Sequence, residues 1–203
     1  GRVTTMSLLF CGCYCNSYCN RPAVSFNDDI SAWNTSSVTS MAYMFWDAWA
    51  FNQPIGDWRT DKVTNMHSMF YEASSFNRPL GSWRVDEVTS MSFMFCVGVT
   101  VASSFNQPLG DWRVDKVINM RDMFRNAQSF DQDLGWCVDE YADLTDAFIF
   151  TPCSSTSCGV DVQGTSCPYP SPSPTLRPTP MPTPVPTLTQ RPTPAPTLAP
   201  MGS

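Results

Sequence analysis

The stretch that decides the fold runs from Phe51 to Ser75 and reads F-N-Q-P-I-G-D-W-R-T-D-K-V-T-N-M-H-S-M-F-Y-E-A-S-S. It returns from Phe105 with 17 of 25 positions identical. Five copies start at Phe26, Phe51, Phe76, Phe105 and Phe130, at spacings of 25, 25, 29 and 25. A tryptophan follows seven residues after the first four starts (Trp33, Trp58, Trp83, Trp112) and six after the fifth (Trp136). A phenylalanine follows 12 residues after every tryptophan: Phe45, Phe70, Phe95, Phe124 and Phe148. Val3, Met6, Leu9 and Phe10 fit the second half of a further copy.

A period of this length is the signature of stacked coils. Each unit offers about seven large apolar side chains, and one coil alone has no interior to hide them. Stacking supplies that interior, at roughly 1.5–3 kcal/mol for each side chain buried. Two insertions follow the Met-Phe pair: four residues within Cys96 to Val101, and ten Cys-rich residues between Phe10 and Phe26. They mark one loop per coil that tolerates length change.

Within a unit, V-x-x-M-x-x-M-F-x-x-A has spacings of three and four, which predicts a short helix or helical turn over Val63 to Ala73. The preceding half is extended, with a strand expected only around Ile55 to Trp58 because Pro54 removes a donor and Gly56 permits a bend. Copies of that strand would pair in parallel. Asn27, Asn52, Asn77 and Asn106, with Asp131 in the fifth copy, read as a stacked ladder satisfying turn backbone. Arg59, Arg84 and Arg113 form one charged column, and Asp61, Asp86, Asp115 and Asp139 form another. Cross-pairing offsets the repulsion of like charges stacked at strand spacing; calcium on the Asp column is the alternative, disfavoured because no D-x-D-x-D loop is present. Met at the repeated positions is a flexible filler.

Composition narrows the function. The first 167 residues carry 10 basic against 18 acidic side chains, a poor match to nucleic acid, whose binding needs a basic face. No apolar run approaches a membrane span. Thirteen of the 18 prolines lie after residue 167, alternating with Thr and Ser, so residues 168–203 are expected to be a disordered stalk sampling polyproline II. Its seven threonines and three serines make it a candidate for O-glycosylation or wall embedding, an unmodified spacer being the alternative. Nine cysteines point to an oxidising compartment. Cys137, Cys153, Cys158 and Cys167 are expected to form two bridges closing the end of the core, with three pairings open. Cys11, Cys13, Cys15 and Cys19 read as disulfide partners, with a soft-metal thiolate site as the alternative; no histidine accompanies them and C-x-C is not zinc spacing. No cofactor is implied. Asn34-Thr35-Ser36 is the N-glycosylation sequon. The chain does not begin with Met and begins within a repeat, which reads as a fragment of a longer protein.

Catalysis finds no support in the sequence. The single histidine, His67, occupies a position held elsewhere by Ala42, Ser92 and Arg121, as a solvent-facing position would be. No nucleophile elbow, phosphate loop or dinucleotide fingerprint occurs. Tyr43, Trp46, Trp49 and Tyr71 lie outside the repeated Trp column and are the candidate binding residues, with packing under the loop edge as the bland alternative. The repeated tryptophans are expected to be core or half-buried.

The string F-N-Q-P-I-G-D-W followed by V-T-N-M-H-S-M-F-Y-E-A-S-S-F resembles the repeat of BspA-family leucine-rich-repeat-like surface proteins. The resemblance covers residues 1–150. It implies an α/β repeat solenoid, a right-handed leucine-rich-repeat-like stack of about five coils with short parallel strands and helical turns. It also implies a secreted or cell-surface protein linked to adhesion, and it carries over no catalytic residue. The sequence departs from the pattern in the two insertions and in a degenerate last copy, where Tyr141, Leu144 and Ala147 replace Val, Met and Met, as a cap would. The expected organisation is a repeat region over 1–150 with a Cys-rich insertion at 11–22, a Cys-rich cap over 151–167, and the stalk over 168–203. The expected partner is a protein or glycan on a cell surface or matrix; a carbohydrate- or wall-binding accessory is the second functional reading.

Overall fold

The computed structural model describes residues 3–12, 19 and 21–162. These fall in the first of two units, Gly1–Ser171 and Pro172–Ser203. The expected stalk, Cys13, Cys15 and Cys167 lie outside the described residues.

Successive repeats lie against one another residue on residue. The phenylalanines that end each Met-Phe pair form one file, Phe10, Phe45, Phe70, Phe95, Phe124 and Phe148, with ring centroids 5.4–5.7 Å apart. Those that open the copies form a second, Phe26, Phe51, Phe76, Phe105 and Phe130, 5.8–6.0 Å apart. Within each repeat the two files touch nearly face to face, as between Phe45 and Phe51 at 3.9 Å. Almost every ring is buried beside Ile/Leu, Val and Met of the same unit, so one continuous core runs through the repeats. From the second copy on, the indole N–H of the repeated tryptophan donates to a carbonyl of the preceding repeat: Trp58 to Ile30, Trp83 to Ile55, Trp112 to Leu80 and Trp136 to Leu109. A large apolar side chain thereby loses its one polar penalty, which is why Trp tolerates full burial here.

Local structure departs from the sequence reading in three places. First, Val63 to Ala73 is not a helix. Met69, Tyr71 and Ala73 each donate to the carbonyl three residues back, while Met66, Ser68, Phe70 and Glu72 donate to Ser90, Ser92, Met94 and Cys96 of the next repeat. Alternate N–H groups thus serve the coil itself and its neighbour. Helix propagation is broken because Ser68 and Glu72 have positive φ, as do Tyr43 and Asp47 or Asp122 and Asn126 in other repeats. Second, Ile55 to Trp58 holds no strand; Trp58 N–H closes a turn onto Ile55. Parallel pairing occurs instead as single bridges one residue before the first Met, linking Thr5, Ser40, Asn65, Ser90, Asn119 and Asp143 in order. Third, Trp33 is not half-buried but 40 % exposed, although Phe10 packs against it at 5.6 Å.

Three elements are regular among the described residues: a 3-10 helix Arg21–Ser25, and two short strands, β1 (Trp136–Val138) and β2 (Val160–Val162). The strands pair in parallel, Trp136 against Val160. Leu134 N–H donates to Cys158, so the Cys-rich segment continues the stack over the fifth tryptophan. Cys153 and Cys158 are joined by a disulfide and both are buried.

The Asn column accounts for a row of turn donors. Asn27 Oδ1 accepts Asn52 N–H, and the same bond follows from Asn52 to Asn77, Asn77 to Asn106, and Asn106 to Asp131. A second column is made by threonine. The hydroxyls of Thr39, Thr64 and Thr89 each donate to the threonine carbonyl one repeat back, until Ile118 interrupts the series.

Candidate functional site

In the segments from Met41 to Asp47 and from Met66 to Glu72 the Met and Phe side chains are buried, and Tyr43, Trp46, Asp47, His67, Tyr71 and Glu72 are the partly exposed positions. Those columns hold whatever the repeat does not dictate. In the first and second of the five copies they hold aromatic groups. Tyr43 packs on Trp46 at 5.3 Å and edge-on to His67 at 4.7 Å. Trp46 meets Tyr71 at 5.9 Å with the rings at 85°. Phe93 of the third copy continues the patch, 5.8 Å from His67 and 6.4 Å from Tyr71. All five rings are half-buried.

Of the four candidate binding residues, Tyr43, Trp46 and Tyr71 therefore stand together. Trp49 is 49 % exposed on the adjoining loop and hydrogen-bonds the Asp47 carboxylate. His67 and Phe93 complete the patch and are not flagged by the sequence reading, although both lie in the columns of Ala42 and Tyr43 and a search down those columns finds them. The imidazole bonds Ser92 Oγ through Nδ1 at 2.6 Å, and burial pushes its pKa down, so the ring favours the neutral form.

Two carboxylates border the rings. Glu72 Oε1 accepts Gly98 N–H at 2.7 Å, which ties the four-residue insertion of the third copy to the second. Glu72 Oε2 is buried and meets no partner among the described residues. Burial raises the pKa of both Glu72 and Asp47, and in Glu72 the nearby Asp47 adds to it. The buried thiol of Cys96, free of any disulfide, is pushed up to about 12 by desolvation and the neighbouring Asp122 and Glu72. One repeat further, buried Asp122 holds Arg121 at 3.2 Å and Arg125 at 2.9 Å, and Arg125 also reaches Asp146.

On the opposite edge Arg59 pairs with Asp61 and Arg84 with Asp86, while Arg113 lies between Asp86 and Asp115. The charged columns are therefore paired mainly within a repeat, and Asp61, Asp86 and Asp115 each face a guanidinium. Among the described residues no group of three or more His, Cys, Asp or Glu is placed to hold a metal ion. Cys11 and Cys19 form a disulfide, which removes both thiolates from any metal site. Cys137 is disulfide-bonded as well. Asn34 is exposed, and its Oδ1 accepts Ser36 N–H. No helix among the described residues is long and apolar enough to cross a membrane.

A protein-family profile described as "Mycoplasma protein of unknown function, DUF285" matches residues 2–100 and 98–157. The chain belongs to this family. No curated protein and no solved structure matches it. Membership of DUF285 is consistent with a BspA-like repeat protein and by itself assigns the chain no activity.

Proposed function

We propose that this DUF285 chain is a non-catalytic recognition module of a secreted or cell-surface protein. In this reading the repeats form a leucine-rich-repeat-like solenoid of the BspA type, and the Pro/Thr-rich residues 168–203 hold it away from its anchorage. The observation that carries the proposal is the half-exposed cluster of Tyr43, Trp46, His67, Tyr71 and Phe93. Nothing in the repeat requires aromatic groups there, since the same columns hold Ser, Cys, Arg and Asp elsewhere. Aromatic anchors beside arginine and a polar rim are what protein interfaces concentrate at their centres. The disulfide between Cys153 and Cys158 supports an oxidising location.

Sugar binding is the second reading, favoured by the same indole and phenol groups. The ring geometry supports it less well: three of the five ring contacts in the cluster are edge to face, whereas a sugar stacks on one open ring face. Binding of the full chain to a glycan array and to intact cells tests both. Loss of cell binding in Trp46→Ala and Tyr71→Ala, with no glycan signal, supports a protein partner. Strong glycan signals lost in the same variants support the second reading. Cell binding that survives both substitutions overturns the assignment of the face.

A further inference from the structure

Resting on that reading of the face, the geometry points to the chemistry of its partner: we infer that Trp46 and Tyr71 receive a lysine or arginine side chain of a partner protein, with Asp47 and Glu72 supplying the counter-charge.

Charge is the first ground. Residues 40–50 and 65–75, which build the aromatic part of the face, contain Asp47 and Glu72 and no lysine or arginine. Among the described residues neither carboxylate takes part in an ion pair. Arg125 is the cation that acts on Tyr71, and its guanidinium is engaged by Asp122 and Asp146. The face thus carries negative charge with no internal compensation, at a place where burial makes uncompensated charge costly.

Ring geometry is the second. Trp46 and Tyr71 stand at 85° with centroids 5.9 Å apart, so they form two walls of a corner. A cation within about 6 Å of both centroids is attracted by both quadrupoles at once. A planar or flat ligand can use only one wall. The third ground is Glu72 itself, whose Oε2 is buried with no partner among the described residues, so that its charge is uncompensated. Its other oxygen accepts Gly98 N–H, which fixes the carboxylate beside the rings.

Hexalysine and hexaglutamate peptides, titrated calorimetrically into the full chain, test this. Hexalysine is expected to bind, and the paired substitution Asp47→Asn with Glu72→Gln to weaken it about tenfold, as is Trp46→Ala. Glutamine keeps an oxygen for Gly98 N–H, so loss of binding without a lowered melting temperature reports on charge and not on folding. Asp57→Asn with Asp111→Asn removes the same charge from the opposite edge and is expected to leave affinity within about twofold, which separates the corner from the general acidity of the chain. The inference is overturned if hexalysine does not bind at millimolar concentration, if hexaglutamate binds as tightly, or if the two paired variants behave alike. Should cell binding depend on Trp46 while the charge pair has no effect, the recognition face stands and the basic partner falls.

Discussion

Among the described residues ten non-glycine residues sit at positive φ, and they recur at two fixed places: two residues after the first Met (Leu144 in the last copy) and two after the Phe. A left-handed residue with a side chain costs about 1–2 kcal/mol, so the stack must over-determine these positions. Ser68 is one of them, buried, with its N–H bonded to Ser92 of the next repeat. Ser68→Gly is expected to keep or raise thermal stability, while Ser68→Val lowers it by about 2 kcal/mol, both read from chemical denaturation. This conformation is not legible in the sequence, because glycine is the residue that announces it and none of the ten is glycine. Spacings of three and four between Val, Met and Phe are as compatible with i→i−3 turns as with a helix, and a periodicity argument alone selects the commoner of the two. Tyr43, Trp46 and Tyr71 are legible for the opposite reason: they break the repeat, and a break stands out.

At the scale of the elements, the columns are what the sequence discloses best. A fixed period places like residues above one another, so the Asn column can be read without knowing the backbone path. The position of the strand pairing cannot, because Ile55 to Trp58 looks extended while Ser40, Asn65 and Ser90 look like loop. The threonine column gives a direct test of how much one rung contributes. Ile118 N–H donates to Thr89, as its threonine counterparts do, but its side chain is 58 % exposed and makes no hydroxyl bond. Ile118→Thr adds the missing rung and removes an exposed apolar group. It is expected to stabilise the protein by about 0.5–1 kcal/mol, measured as a shift of the urea midpoint at unchanged slope.

For the whole molecule, titration on the face sets opposing trends. Glu72 has a raised pKa in the folded chain, so its contribution to stability is full while it is protonated and is lost as pH rises from its unfolded value through its folded one. Glu72→Gln should therefore melt roughly 2–4 °C above the parent at pH 7, the two converging below about pH 4. His67 runs the other way: its pKa is lowered, so its contribution is present above the unfolded value near 6.5 and lost as pH falls through the folded one. His67→Gln should flatten the part of the melting curve between pH 7 and 5 that this loss produces. Scanning calorimetry of both variants across that range checks the signs.

Donor groups in the spine of each coil alternate strictly, one turned to its own coil and the next to the coil ahead, from the first Met to two residues beyond the Phe. Such a segment has parity. Adding one residue inside it would exchange odd and even, so that donors now bonded to the coil ahead would fall where donors to their own coil belong. Both natural expansions of the repeat start only after the last of these bonds, at Gly98 in one coil and after Gly12 in another. The chain can thus lengthen freely at a single gate per turn, and novelty on this scaffold has one address.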